Sequence, residues 1–514
     1  MKRALIFLLA VIVPSILLGQ EAKYWVYFAD KVEEDLSMNY VSAEAYDNRA
    51  MLGLPLRQWT DLPVNPQYLQ TVTAVGGEVE VSSKWLNASS VRLSQDELVL
   101  VKSLPFVLGV SAEVPELTPA SYGVSWSPEG QYWDLPTNAL DQMEASAFAE
   151  ANLDGKGVVI GVIDGNFWGA NQNTALDDIL EESRLLGTRD FIDPAADFFD
   201  NNPQGNDLHG HYVWQMMAGY DKEEEKQFGF AHGASFYLAR TDDKYKEQRV
   251  EEDRWVAAIE WLDSLGVRLV SSSLGYSYGF DDKAENYAPE QMDGNTTVIS
   301  KAAKMAVEEK GMIVVTSAGN EGKDRRWRVV SAPADVQGVI AVGASGIAGE
   351  RAETSSIGVE GLAYVKPDVM AYSSNGSSLS APMVSGFIAC LLQKDPSLSN
   401  EQVLRVLNTS ASQYPYANNY TGLGTPRASV ALSFMDGDET ATAREVEVTE
   451  GSYELKSDQF GNGAVTILHK NGEHWVVEQE VKEWEGNALT IKRPKKADRT
   501  TITNGSATVE IIWK

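Results

Sequence analysis

Residues 158–165 read Val158-Val159-Ile160-Gly161-Val162-Ile163-Asp164-Gly165. Apolar side chains fall on both parities of this run, and it ends abruptly in a carboxylate. A strand with one wet face would alternate polar and apolar residues. A strand covered on both faces does not, and such strands belong to parallel sheets. Runs of the same length and character recur at 235–239, 267–271, 312–316 and 339–342. Helical stretches separate them, at 254–265 and 297–309. The first sets Trp255, Ala258, Ile259 and Leu262 on one face. This alternation predicts an α/β domain over 138–435: a doubly wound, mostly parallel sheet with helices on both faces.

The flanks differ from this centre. Residues 1–20 begin with Lys2 and Arg3, continue as a short apolar run broken by Pro14, and end near Gly19. That is the layout of a secretory signal peptide, too short for a comfortable transmembrane helix. Residues 21–115 combine short alternating strands (23–28, 77–81, 89–93, 107–111) with helical stretches at Pro66–Ala74 and 94–103. Ser94 and Glu97 have capping-box spacing. A small α+β domain is expected there. Residues 116–137 carry Pro119, Pro128 and Pro136 among Ser and Gly, the chemistry of an exposed linker. Residues 440–514 look all-β, with Asn471-Gly472 and Asn504-Gly505 as hairpin turns.

Composition removes several functions. The chain has 514 residues, 73 acidic against 43 basic, a net charge of −30, 43% hydrophobic residues and one cysteine. A nucleic-acid binder needs a basic face, and attachment to anionic lipid needs a basic patch. One cysteine allows neither an intrachain disulfide framework nor a cysteine-rich zinc site. The expectation is a protein exported from a bacterium to the periplasm, the cell surface or the medium, with no membrane span once the signal is removed. Cys390 is expected in the core of a buried helix.

Open α/β sheets bind ligands beyond the carboxyl ends of their strands, so reactive residues are sought there. The first strand stops at Asp164. The 312–316 strand runs into Ser317-Ala318-Gly319-Asn320-Glu321-Gly322. Of five histidines, His209, His211 and His232 fall in the α/β region. His209 opens a helix-like run, and Gly210 behind it lets another backbone approach closely. A third segment, Gly376-Ser377-Ser378-Leu379-Ser380-Ala381-Pro382, leads into an apolar helix. A proline is tolerated in its first turn. A serine at that helix start sits in a field that favours a developing oxyanion. Taken singly, each has a plain structural explanation: a helix cap, a packed histidine, an N-cap serine.

Taken together, the fragments resemble the subtilisin-like serine protease family (subtilases), in its secreted bacterial type with an N-terminal propeptide. An apolar strand ends in Asp164 with Gly165 one place early. His209-Gly210 matches the histidine motif, with His211 where threonine is usual. Gly376-Ser377-Ser378 and Pro382 match the serine motif, with serine for threonine. Ala318-Gly319-Asn320 matches the asparagine motif, and Ser273-Leu274-Gly275 is similar to the strand that lines the substrate. The resemblance implies a serine endopeptidase acting on proteins or peptides. Ser378 would be nucleophile, His209 base and acid, Asp164 its orienting partner, and Asn320 a donor to the oxyanion. It also implies that 21–115 is a propeptide, serving as intramolecular inhibitor and folding aid, with a maturation cut in the linker.

Other readings remain open at this stage. One is a catalytically inactive binding module on the same scaffold. Another takes His209-Gly210-His211 as a metal pair. No cofactor is required for the chemistry. The acidic stretch Asp281, Asp282, Glu285, Glu290 and Asp293 suits structural calcium in ligand type but fits no defined calcium loop.

Overall fold

The computed structural model describes residues 21–32, 38–112, 135–200, 207–243, 245–438 and 443–514. The expected signal segment and nearly all of the expected linker lie outside these residues. The last few linker positions open a helix, Leu135–Gln142. The described residues fall into two compact units. One holds residues up to 33 together with 63–113, and the other holds 34–62 together with 114–514.

The smaller unit is a four-stranded antiparallel sheet of β1 (Ala22–Phe28), β2 (Glu78–Ser83), β3 (Ala88–Leu93) and β4 (Val107–Ala112), in the order β2-β3-β1-β4. Two helices complete it, Pro66–Ala74 and Gln95–Lys102. The Ser94 hydroxyl accepts from the Glu97 N–H while the Glu97 carboxylate accepts from the Ser94 N–H at 2.7 Å, so the capping box forms as the spacing requires. Val26, Val72, Val91 and Val101 are fully buried between sheet and helices.

The larger unit is built on seven parallel strands: β5 (Val159–Asp164), β6 (Leu185–Asp190), β7 (Ser235–Arg240), β8 (Leu269–Ser272), β9 (Ile313–Ser317), β10 (Ile340–Ser345) and β11 (Val369–Tyr372). Their order is β11-β10-β9-β8-β5-β7-β6. The apolar-run strands occupy the interior of the sheet, β8 and β9 with every residue buried. The two strands not expected from the sequence are its edges. β6 carries exposed residues and a register shift, and β11 has only 4 residues, so neither writes a clear apolar run.

Five helices matter below: α1 (Ala43–Leu52), α2 (His209–Ala218), α3 (Val250–Ser264), α4 (Val298–Glu308) and α5 (Ala381–Lys394). Helix α3 starts four residues before the apolar pattern does, because Glu251, Glu252 and Asp253 favour the positive end of a helix. Helix α5 is buried from Ala381 to Leu392, and Cys390 within it is fully buried. Phe387 meets Phe148 edge-on at 4.8 Å and Phe230 at 5.8 Å. Each such side chain contributes roughly 1.5–3 kcal/mol through burial, and together they fix the helix that begins at the serine motif.

Residues 34–62 pack with the larger unit rather than with the rest of the expected 21–115 domain. The physical reason is an ion-pair network. Arg49 on α1 donates twice to Asp61, at 2.7 and 2.8 Å, and lies 3.5 Å from Asp263 at the end of α3. Lys310 completes it, 3.7 Å from Asp61. All four groups are buried.

The C-terminal region is the expected β structure. Strands β12 (Ala443–Val448), β13 (Gly463–Asn471), β14 (Trp475–Trp484), β15 (Arg499–Thr503) and β16 (Thr508–Trp513) form one sheet in the order β12-β16-β15-β13-β14. Its pairings are antiparallel except β12 with β16. Gly472 turns one hairpin at φ +68° and Gly505 the other at φ +87°, values that favour glycine. The sheet is seated on the α/β core. Gln479 exchanges hydrogen bonds with the Arg351 backbone, the Val476 N–H donates to Asn419, and Thr508 donates to the Ser412 carbonyl.

Candidate active site

Strand β5 delivers Asp164 to the carboxyl edge of the sheet, fully buried. Its Oδ1 accepts from the Gly165 N–H at 2.8 Å and meets His209 Nδ1 at 2.5 Å. His209 is the first residue of α2, which places its ring over the strand end. Gly210 behind it packs closely: an added Cβ would lie 3.1 Å from the Asn166 carbonyl and from the Phe167 ring. A carboxylate only accepts, so Nδ1 of His209 carries a proton and Nε2 faces the cleft.

Burial alone would lower the His209 pKa. The charge and hydrogen bond of Asp164 outweigh it, with Asp207 and Asp242 adding to the pull, and the imidazole is pushed up to about 9. Its side chain is 34% exposed, so water moderates the push.

Ser378 lies in the short 3₁₀ turn Ser377–Leu379 that leads into α5. Its Oγ donates to the Ser273 carbonyl at 3.3 Å, and Ser273 returns a bond to the Ser378 carbonyl at 2.7 Å. The residue that follows β8 thereby holds the serine turn. Asn320 follows β9. Its Oδ1 accepts from the Ser377 N–H at 2.8 Å and from the Ser377 hydroxyl at 3.1 Å. Two donors on Oδ1 fix the amide orientation and turn Nδ2 away from Ser377. Gly376, at φ +95°, leaves the room for this: a Cβ there would lie 2.8 Å from Asn320 Oδ1.

Asp164 stands directly beneath His209. His209, Ser378 and Asn320 line one cleft of about 530 Å³, with Ser273, Leu274 and Gly275 along its wall. The four residues expected from the sequence are therefore brought together. His211 is not part of the group. Its Nδ1 donates to the Trp168 carbonyl at 3.1 Å and its Nε2 accepts from Asn173 at 2.7 Å, and burial lowers its pKa. Both nitrogens are committed away from His209, which leaves neither for a metal.

The acidic stretch 281–293 is likewise engaged locally. Asp282 caps a 3₁₀ turn, Glu285 accepts from the Arg249 N–H, and Asp293 accepts from the backbone N–H groups of Asn295 and Thr296. Among the described residues no group of three or more His, Cys, Asp or Glu is arranged to hold a metal ion.

The cleft also holds acidic residues that the motifs do not include. Asp207, Asp242 and Glu247 line it beside His209. Asp242 lies two residues past the end of β7, on the edge where Asp164 ends β5, so polar residues at apolar strand ends are the signal that points to it.

Comparison with known proteins gives the fold and chemistry a family. The model described as the subtilase family matches residues 155–424, and the one described as the Bacteroidota propeptide domain of peptidase S8 matches residues 23–123. Subtilisin NAT of Bacillus subtilis subsp. natto is 26% identical over 352 residues, covering 66% of this chain and 80% of the relative. Subtilisin DY of Bacillus licheniformis is 28% identical over 292 residues, 54% of this chain and 91% of the relative. Among solved structures, a mutant of the epidermin leader peptide processing serine protease from Staphylococcus aureus shares the fold at a TM-score of 0.53 and 14% identity, over 80% of this chain and 99% of that one. The chain belongs to the subtilase family and is a serine endopeptidase with an N-terminal propeptide.

Proposed function

We propose that peptide bonds are cut in the cleft between α2 and the serine turn through an acyl-enzyme on Ser378. The observation that carries this reading is the 2.5 Å contact of His209 Nδ1 with buried Asp164, in the cleft that Ser378 and Asn320 line. Rotation about its Cα–Cβ bond turns the Ser378 hydroxyl from the Ser273 carbonyl to His209 Nε2. Oγ attacks the substrate carbonyl carbon as its proton passes to Nε2. Asp164 keeps the ring in the Nδ1–H form and stabilises the imidazolium. Asn320 Nδ2 and the Ser378 N–H donate to the tetrahedral oxyanion. The imidazolium then gives its proton to the departing amine as the C–N bond breaks, leaving Ser378 acylated. Water, deprotonated by Nε2, attacks the ester, and the proton returns to Ser378 as the acid product leaves. These steps call on no metal or cofactor.

The same reading gives the flanks their roles. Residues 1–20 direct export. Residues 21–115 form the propeptide, which assists folding and blocks the site until the chain is cut within 116–137. Residues 138–435 are the peptidase, and 440–514 form the β domain seated on it.

Expression of wild type beside Ser378→Ala, with mass mapping of the mature N-terminus and a peptide digest, tests the reading. The wild type should cut itself within 116–137 and hydrolyse peptides, and the variant should do neither. A variant that keeps full peptidase activity would sink it.

A further inference from the structure

Beyond His209, on the β7 side of the cleft, carboxylates gather. Asp242 and Glu247 line the cleft, and Asp207 stands beside them. A Cβ placed on Gly165 would lie 3.8 Å from Asp242 Oδ1 and 4.0 Å from Asp207 Oδ2, so both carboxylates reach the rim just past Asp164. Glu251, on the first turn of α3, lies behind them with no surface exposed. Its Oε1 accepts from the Asp243 N–H at 3.1 Å, while its Oε2 has no hydrogen-bond partner. Tyr276, also in the cleft wall and 3% exposed, has an unpartnered hydroxyl. Among the described residues, no ion pair joins Asp242, Glu247 or Glu251 to a lysine or arginine. Arg254 reaches Glu251 only as a minor electrostatic influence.

Such an arrangement is costly by itself. Burial and mutual repulsion push Asp242 up to about 8 and raise Glu247 and Glu251 as well. Tyr276 is raised by burial and by the same carboxylates, which places its phenol in their field. A positive charge entering between them would relieve the repulsion, in a field that also reaches two unpartnered buried oxygens, Glu251 Oε2 and the Tyr276 hydroxyl. A metal ion is a poor occupant, because the described carboxylates do not converge to metal-ligand geometry. A side-chain ammonium or guanidinium needs no such convergence. It arrives on a long stem and brings its charge to the carboxylates without a fixed coordination shell.

We propose that this end of the cleft is a specificity subsite for a basic side chain, so that the protease prefers substrates with lysine or arginine close to the cut bond. The inference rests on the reading that Ser378 is the nucleophile of this cleft. Asp242 and Glu247 contact the cation. Glu251 is a positioning residue, acting through its bond to the Asp243 N–H and through its charge.

The test is a digest of a random peptide library by the matured wild-type protein, with every cut position sequenced. It is followed by kcat/KM on matched peptides bearing lysine, norleucine or glutamate at the selected position. Lysine should exceed norleucine by about ten- to a hundredfold, the worth of a hydrogen bond to a charged group. Glu247→Lys should move the preference towards glutamate, and Asp242→Asn should shrink the lysine to norleucine ratio by about fivefold or more, on the same scale. A wild type that cuts peptides with no basic preference overturns the subsite and leaves the protease reading intact. A wild type that cuts no peptide overturns both. Titration with calcium chloride is the control. Calcium binding by the wild type that Asp242→Asn abolishes would assign the cluster to a metal and overturn the inference.

Discussion

Gly376→Ala should damage catalysis through a neighbour rather than through the serine itself. The glycine has φ +95° and ψ 163°, a region almost closed to other residues. A methyl group there would lie 2.8 Å from Asn320 Oδ1, 3.1 Å from its Cγ and 3.2 Å from its Nδ2. Real Cβ atoms do not tolerate the first of these contacts, so the Asn320 amide must move. That breaks its 2.8 Å bond from the Ser377 N–H and swings Nδ2 away from the oxyanion. Loss of one such donor in a subtilisin, a relative of this chain, costs about 10²–10³ in kcat, or roughly 2.7–4 kcal/mol. Backbone strain adds about 1–3 kcal/mol to the instability of the turn. We predict that Gly376→Ala lowers kcat by about 30- to 1,000-fold with KM changed by less than about threefold, following the same oxyanion magnitude. The assay is steady-state hydrolysis of a chromogenic peptide, normalised by active-site titration so that misfolded protein does not count. The double variant with Asn320→Ala decides the route. If the methyl acts through Asn320, the double variant should match Asn320→Ala within about threefold, because coupled sites are not additive. Full additivity, or a Gly376→Ala enzyme with normal kcat, would refute the reasoning.

Three other outcomes follow from the same geometry. The neutral form of His209 is the competent base, and its pKa is raised to about 9. The acid limb of kcat/KM should therefore fall on the alkaline side of neutrality, and Asp242→Asn should move it to lower pH by removing a negative neighbour. A limb near about pH 6 in the wild type, read from a full pH profile, would contradict this. His211→Thr should leave that limb within about 0.3 pH units of the wild type, since both His211 nitrogens are bonded elsewhere; a larger shift would show that the imidazole acts on His209. In the β domain, Lys470 forms an ion pair with Glu510 at 2.8 Å, with both side chains buried. Glu510→Gln leaves that ammonium uncompensated and should cost about 3–5 kcal/mol, read as a lowered denaturant midpoint, whereas a loss under about 1 kcal/mol would mean that water reaches Lys470.

The fold is most legible in the sequence where burial is complete. The runs that became β5, β7, β8, β9 and β10 are apolar because both faces of the sheet are covered, and their ends announce Asp164 and Asn320. The serine turn is legible from Gly376 and Pro382, which backbone geometry demands. Edge strands β6 and β11 are hidden because an edge tolerates polar residues and short length. The packing of α1 with the larger unit is hidden for another reason. It depends on Arg49 meeting Asp263, far away along the chain, and no local pattern encodes that pair. The acidic end of the cleft is foreshadowed only by Asp242, one carboxylate after a strand. The denser acidic stretch 281–293 is the louder signal, yet Asp282 and Asp293 cap their own loops and Glu285 accepts from the Arg249 N–H.

The central claim is that Ser378 is the nucleophile, and covalent trapping tests it most directly. Wild-type protein treated with a serine-directed phosphonylating reagent, digested and mapped by mass spectrometry, should carry a single adduct on the peptide containing Ser378. Peptidase activity should be lost in proportion to labelling, and His209→Ala should label far more slowly. Loss of activity with the adduct on another residue, or full activity with Ser378 modified, would contradict the account.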